Sequence, residues 1–170
     1  MSAALERWNF LAAAVAANEI LPCCGSNAWA DKIVARRPVT DEAALLAAAD
    51  EIWRGLAQSE WQEAFRSHPR IGESVAARAA APKSAAWSAQ EQQDVVNADD
   101  AARLALAEGN RQYEQKFDQI FIVCATGKSP EDILKELRRR LKSDEATELR
   151  EAAEQQRQIM QIRLRKWLRE

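Results

Sequence analysis

Hydrophobic residues recur at helical spacing along almost the whole chain. Leu5, Trp8, Leu11 and Val15 fall three or four residues apart, which predicts a first helix capped by Ser2 and running to about Asn18. Pro22 and Gly25 are expected to break it, leaving Cys23 and Cys24 in a connector as small buried hydrophobes. A short helix over Asn27 to about Arg36 carries Trp29, Ile33 and Val34, and Pro38 stops it. Thr40, followed by Asp41 and Glu42, reads as a helix start, because acidic residues in a first turn suit the helix dipole. Leu45, Leu46, Ala49, Ile52, Trp53 and Leu56 then form an apolar stripe. Ser59 with Gln62 spells a capping box for a short helix that buries Trp61 and Phe65 and ends at His68.

The second half continues in the same period. Residues 74–86 are alanine-rich and interrupted by Pro82, which suggests a helical turn or two, then a loop able to cover a site. Ser88 to Glu91 spells a second capping box, for a helix running past Val95 and Val96. Gly109 marks an interruption or a weak spot in a helical stretch reaching Lys116. Phe121 to Ala125 is an unbroken apolar run ending at Thr126-Gly127, either the buried end of a helix or a short extended segment. Ser129 and Pro130 start a helix to about Lys142, with Ile133, Leu134, Leu137 and Leu141 on one face. Ser143 or Asp144 opens the last helix, which carries Leu149, Ala152, Ala153, Gln156, Ile159, Met160 and Arg163 along one side. There is no alternating strand pattern, glycine-rich phosphate loop or internal repeat. The pattern predicts an all-α protein, a single compact domain of about eight helices over residues 1–170.

Composition narrows the function classes. With 47% hydrophobic and 29% charged residues the chain can bury a core and does not read as disordered. The formal net charge of −2 leaves no basic domain, so no nucleic-acid partner is expected. The basic run from Arg157 to Arg169 is interleaved with apolar residues and reads as a solvated helix face. No stretch approaches the roughly 20 apolar residues of a membrane span, and the N-terminus lacks a signal-peptide pattern. The three cysteines form no CxxC pair, and with one histidine they assemble no usual zinc pattern, so no metal is expected. A reduced, cytoplasmic location fits this cysteine usage.

Candidate chemistry centres on His68, the only histidine in the chain and the side chain whose ordinary pKa lies closest to neutral. Pro69 biases it away from helical angles, and Gly72 permits a sharp backbone turn. The segment reads as a fixed corner presenting one imidazole, or as a plain helix-ending turn with a hydrogen-bonded ring. Ser88 and Glu91 in turn read either as site residues or as a cap that satisfies its own backbone. A non-enzymatic helical interaction module would use the six tryptophans and the amphipathic faces. A hydrolase with His68 as general base lacks an accompanying nucleophile or metal-ligand pattern.

Three segments taken together resemble the OHCU decarboxylase family: His68 to Glu73, Trp87 to Gln92, and Phe121 to Gly127. Trp29, the Arg37-Pro38 pair and the terminal helix from Glu148-Leu149 to Ile162-Arg163 fit as well, so the resemblance spans nearly the whole chain. It implies an all-helical enzyme, homodimeric and needing neither cofactor nor metal. The implied reaction is stereoselective decarboxylation of 2-oxo-4-hydroxy-4-carboxy-5-ureidoimidazoline to (S)-allantoin in urate breakdown. By the same resemblance His68 is the catalytic acid, with Glu91 opposite and Pro69 against the substrate. Ser88, Ala89, Gln90, Glu91 and Gln92 line the pocket with Phe121, Ile122, Val123, Cys124 and Ala125, the latter group through its backbone. Arg163 is the implied substrate-binding arginine. Two departures stand out. Gln93-Asp94-Val95 replaces an Ala-Gly-Leu type continuation, which leaves the helix register after Gln92 open, and Arg70-Ile71 stands where some branches carry Asp-Leu.

Overall fold

A computed structural model describes residues 2–72, 82–96 and 99–170, with the backbone alone at Asp94 and Val96. Its ordered elements are helices, and there is no strand among the described residues. They are α1 (Ala3–Asn9), α2 (Ala13–Cys24), α3 (Asn27–Val34), α4 (Glu42–Arg54), α5 (Gln58–Arg66), α6 (Pro82–Glu91), the single turn α7 (Gln93–Val96), α8 (Asp100–Phe117), α9 (Pro130–Arg140) and α10 (Glu145–Trp167). None is long and apolar enough to cross a membrane. The chain falls into two compact units, residues 2–64 with 157–170, and residues 65–156.

In the first unit the expected opening helix is two. Ser2 does cap α1, accepting from the Leu5 amide at 3.3 Å. The helix stops at Asn9 because Arg37, far along the chain, donates to the carbonyls of Trp8 (2.8 Å) and Leu11 (2.7 Å). Those bonds occupy acceptors that a continuing helix would have used. Pro22 does not break α2. It lies in the last turn, and the left-handed Gly25 (φ 84°) ends the helix two residues after Cys23. Cys23 and Cys24 are thus helical, and both are fully buried. Asp41, not Thr40, caps α4, accepting from the Ala44 amide at 2.8 Å. The α4 stripe is buried as expected at Leu45, Ala49, Ile52 and Trp53. Helix α5 starts ahead of Ser59. Glu60 reaches back to the Ala57 amide at 2.7 Å and takes the role assigned to Gln62. Trp61 is only half-buried, with its ring N–H on the Trp53 carbonyl at 2.9 Å.

The C-terminal part of α10 belongs to this unit and is not simply a solvated basic face. Arg157 pairs with Asp50 at 2.8 Å. Gln161 donates to the Leu46 carbonyl and to Asp50, and Trp167 meets Trp8 edge-on at 5.9 Å.

The second unit carries its own core of Ile71, Val95, Leu106, Tyr113, Phe121, Val123, Ala125, Ile133 and Leu137. Helix α8 runs without a break through Gly109. There the Leu137 side chain of α9 packs directly over the glycine: a Cβ built at this position would run into it, with the Leu137 Cγ at 3.2 Å. Asp118, in the left-handed region at φ 51°, ends the helix. Ser129 and Asp132 form the reciprocal capping box of α9, with Pro130 at its first position. Asp144 caps α10 by accepting from the Thr147 amide at 2.8 Å. Residues 74–81, read from sequence as a cover, lie outside the described residues, whereas 82–86 are the first turns of α6.

Candidate active site

The His68 corner is fixed by backbone groups before any side chain chemistry is considered. The His68 amide donates to the Phe65 carbonyl at 3.1 Å, closing the end of α5. His68 and Pro69 are both buried, His68 to 7% exposure. Gly72 adopts φ 82°, a left-handed geometry that strains any residue with a Cβ. Two neighbouring elements then grip the corner. The Gly72 amide donates to Gln92 Oε1 at 3.1 Å, and Asn110 Nδ2 donates to the Ile71 carbonyl at 2.9 Å. Arg70 forms a two-pronged ion pair with Glu114, its Nη2 at 2.8 Å from Oε2. The turn therefore hangs between the end of α6 and the middle of α8.

Ser88 to Gln92 occupy the end of a helix, not its beginning. The sequence suggested a cap at Ser88, but α6 starts at Pro82, so Ser88 lies two turns inside it. Ser88 is 2% exposed, its carbonyl accepts from the Gln92 amide at 3.0 Å, and its side chain caps no helix start. The i, i+3 spacing puts Ser88 and Glu91 on one face, while Ala89 and Gln90 are exposed on another. Helix α6 then yields to the short turn α7, with the Val95 amide on the Gln92 carbonyl at 2.9 Å. This settles the register that the sequence left open.

Phe121 to Ala125 form neither a helix nor a strand. They cross the core as irregular backbone, each 7% exposed or less. Two side chains hold this backbone. Arg140 Nη1 donates to the Ile122 carbonyl at 2.7 Å, and Gln155 Oε1 accepts from the Cys124 amide at 2.9 Å. Arg140 is fully buried against Glu148, and its guanidinium carbon sits 4.6 Å from the Phe121 ring centre. Tyr113 also donates to Glu148 and receives a bond from Gln119 at 3.2 Å. Burial foremost pushes the Tyr113 hydroxyl up, so it stays a donor.

The three segments converge. Gln92 ties α6 to the His68 corner. Burial foremost raises the Cys124 thiol, the Thr126 amide and Lys128 oppose this, and the Glu91 charge adds to the rise. Ile71, Val95, Phe121, Val123 and Ala125 share one hydrophobic cluster. Arg163 belongs to the other unit. There it is 1% exposed, donates to the Pro22 carbonyl at 3.3 Å and lowers the Cys24 thiol against a stronger rise from burial. Sequence reasoning missed Arg140, Gln155 and Asn110. Arg140 reads as one of three consecutive surface arginines, and only its place at the end of a capped helix hinted otherwise.

The OHCU decarboxylase family model matches residues 9–165. A uric acid degradation bifunctional protein TTL of Arabidopsis thaliana is 33% identical over 145 residues, or 85% of this chain and 44% of that protein. The chain thus spans less than half the length of this relative. A crystal structure of an OHCU decarboxylase in the presence of (S)-allantoin is 30% identical, with a TM-score of 0.76 over 90% of this chain and 99% of that one. A crystal structure of an (S)-allantoin synthase, 18% identical with a TM-score of 0.71 over 96% of this chain and 53% of that one, has the same fold. With a family match over nearly its whole length and three family segments folded together, the chain belongs to the OHCU decarboxylase family.

Proposed function

We propose that this protein is a carboxy-lyase that decarboxylates 2-oxo-4-hydroxy-4-carboxy-5-ureidoimidazoline to (S)-allantoin, with residues 1–170 acting as one domain. The observation that supports the reading is that Gln92, at the end of α6, holds the His68 corner, while Ile71 of that corner packs in one cluster with Phe121, Val123 and Ala125. In this reaction the bond from the ring carbon to its carboxylate breaks and CO2 leaves. The electron pair passes into the adjacent C=N unit, whose nitrogen takes a proton. The hydroxyl-bearing carbon then loses its hydroxyl proton to become a carbonyl, and a proton is placed on one face of the neighbouring ureido-bearing carbon.

His68 delivers that proton. Its corner is held by backbone and side-chain hydrogen bonds on both flanks, so the backbone from which the ring extends is fixed. A positioned general acid contributes roughly 10²–10⁴-fold in rate. Glu91 orients the imidazole or binds the ureido N–H groups, and Ser88 shares its face. The 121–125 backbone supplies fixed dipoles for the substrate's polar groups, the kind of preorganised contact that dominates such sites. The protein works as a homodimer in the cytoplasm.

The test exploits stereochemistry, because the spontaneous reaction yields racemic product. Substrate generated in place from urate should give (S)-allantoin with the wild-type protein, followed by circular dichroism of the product. His68→Gln should give racemic product at the spontaneous rate with an unchanged fold. Stereoselective turnover by His68→Gln would sink the assignment of the proton to this histidine.

A further inference from the structure

Peptide planarity makes the two bonds to the 121–125 segment more informative than either is alone. A trans peptide holds its C=O and N–H antiparallel. The Ile122 carbonyl points at Arg140, so the Val123 amide, in the same peptide plane, points away from it. The Cys124 amide points at Gln155, so the Val123 carbonyl points away from that side chain. Val123 is 7% exposed, and neither of its backbone groups has a hydrogen-bond partner among the described residues. Buried backbone groups are nearly always satisfied. A donor and an acceptor from one residue are thus left free, the amide aimed away from Arg140 and the carbonyl aimed away from Gln155.

We infer that Arg140 and Gln155 are positioning residues, and that they act as a surrogate neighbouring strand that sets the direction of the Val123 amide and carbonyl. A ureido group or cyclic amide carries a matching acceptor and donor side by side and would pair with Val123 as a second strand does. The inference rests on the decarboxylase reading for its ligand. The fixing itself is built from groups that touch no substrate. Arg140 is locked by Glu148 and the Phe121 face, and Gln155 is 7% exposed on α10. Neither is needed for the proton step, so their loss should degrade binding and facial selection more than turnover.

Gln155 is the better handle, because Arg140 also neutralises a buried carboxylate. Gln155→Leu removes the acceptor at similar volume, and Gln155→Glu keeps a carbonyl-type acceptor in either protonation state. With substrate generated in place, Gln155→Leu should raise KM by about 10- to 100-fold, as misplacement of a binding group does. It should also lower the enantiomeric excess while kcat changes less, and Gln155→Glu should restore both. In the ¹⁵N-labelled wild-type protein, titration with allantoin should shift the Val123 amide resonance, and Gln155→Leu should blunt that shift.

Wild-type KM and enantiomeric excess in folded Gln155→Leu would overturn the inference, as would a Val123 amide unmoved by saturating allantoin. If Gln155→Leu does not fold, the wild-type titration decides alone: a shifted Val123 amide supports the inference and an unmoved one overturns it. Failure of the decarboxylase reading shows separately, as racemic product from the wild-type protein, and takes the inference with it.

Discussion

The Arg140–Glu148 pair offers a quantitative test of how the second unit is held. Both side chains have no exposure, so neither charge is shared with water. Arg140 Nε and Nη2 and the Tyr113 hydroxyl all converge on Glu148 Oε1, whereas Oε2 is buried with no hydrogen-bond partner among the described residues. Glu148→Gln keeps the shape and one acceptor but removes the charge. Breaking a buried pair from one side typically costs about 3–5 kcal/mol, because the remaining charge stays desolvated. Arg140 retains the Ile122 carbonyl and the Phe121 ring face, which are worth about 0.5–2 kcal/mol as a cation–π contact. Against this, the new amide places an N–H donor where Oε2 finds no acceptor. The two corrections are of similar size, so a loss of about 3 kcal/mol is expected. For a chain of this length that lowers Tm by about 6–12 °C. Thermal and urea unfolding followed by far-ultraviolet circular dichroism read it directly. A cycle with Arg140→Met and the double variant should give a coupling of about 1–3 kcal/mol, since the two groups are each other's principal partner. A coupling below about 0.5 kcal/mol would refute the view that Glu148 is what allows Arg140 to be buried beside the 121–125 backbone.

Two further outcomes follow from the packing and the caps. Gly109→Ala adds helix propensity worth about 1 kcal/mol, but its methyl group runs into the buried Leu137 side chain. Overpacking of about 1–3 kcal/mol should win, so the variant should be less stable in urea, and a net gain would show that α9 yields. Asp144 is held below the usual carboxylate range, chiefly by the Thr147 amide and then by the Thr147 hydroxyl. A depressed folded pKa contributes stability above the unfolded value and loses it as pH falls through the folded one. The stability advantage of wild type over Asp144→Asn should therefore shrink as pH is lowered below about 4. An advantage independent of pH would contradict the role of its charge at the start of α10.

The periodicity of Leu, Trp, Ile and Val determined by itself that this chain is helical, because a 3.6-residue repeat can bury one face in only one way. Ser129-Pro130 likewise fixed the start of α9, since its capping box is closed within four residues. The family segments could be read because their chemistry lies in residue type and order. What the sequence misjudged depends on distant partners. Nothing near Asn9 announces that Arg37 will cap α1, and nothing near Gly109 announces that Leu137 will lean on it. Ser88 through Glu91 satisfies the pattern of a helix start, but a local pattern cannot know that α6 has already begun at Pro82. Tertiary structure alone decided that Gln92 would hold the His68 corner, and that Arg140 and Gln155 would fasten the 121–125 backbone. The reason is physical. A residue's type limits the bonds it can make, but whether a buried polar group makes them depends on what the rest of the fold brings within about 3 Å.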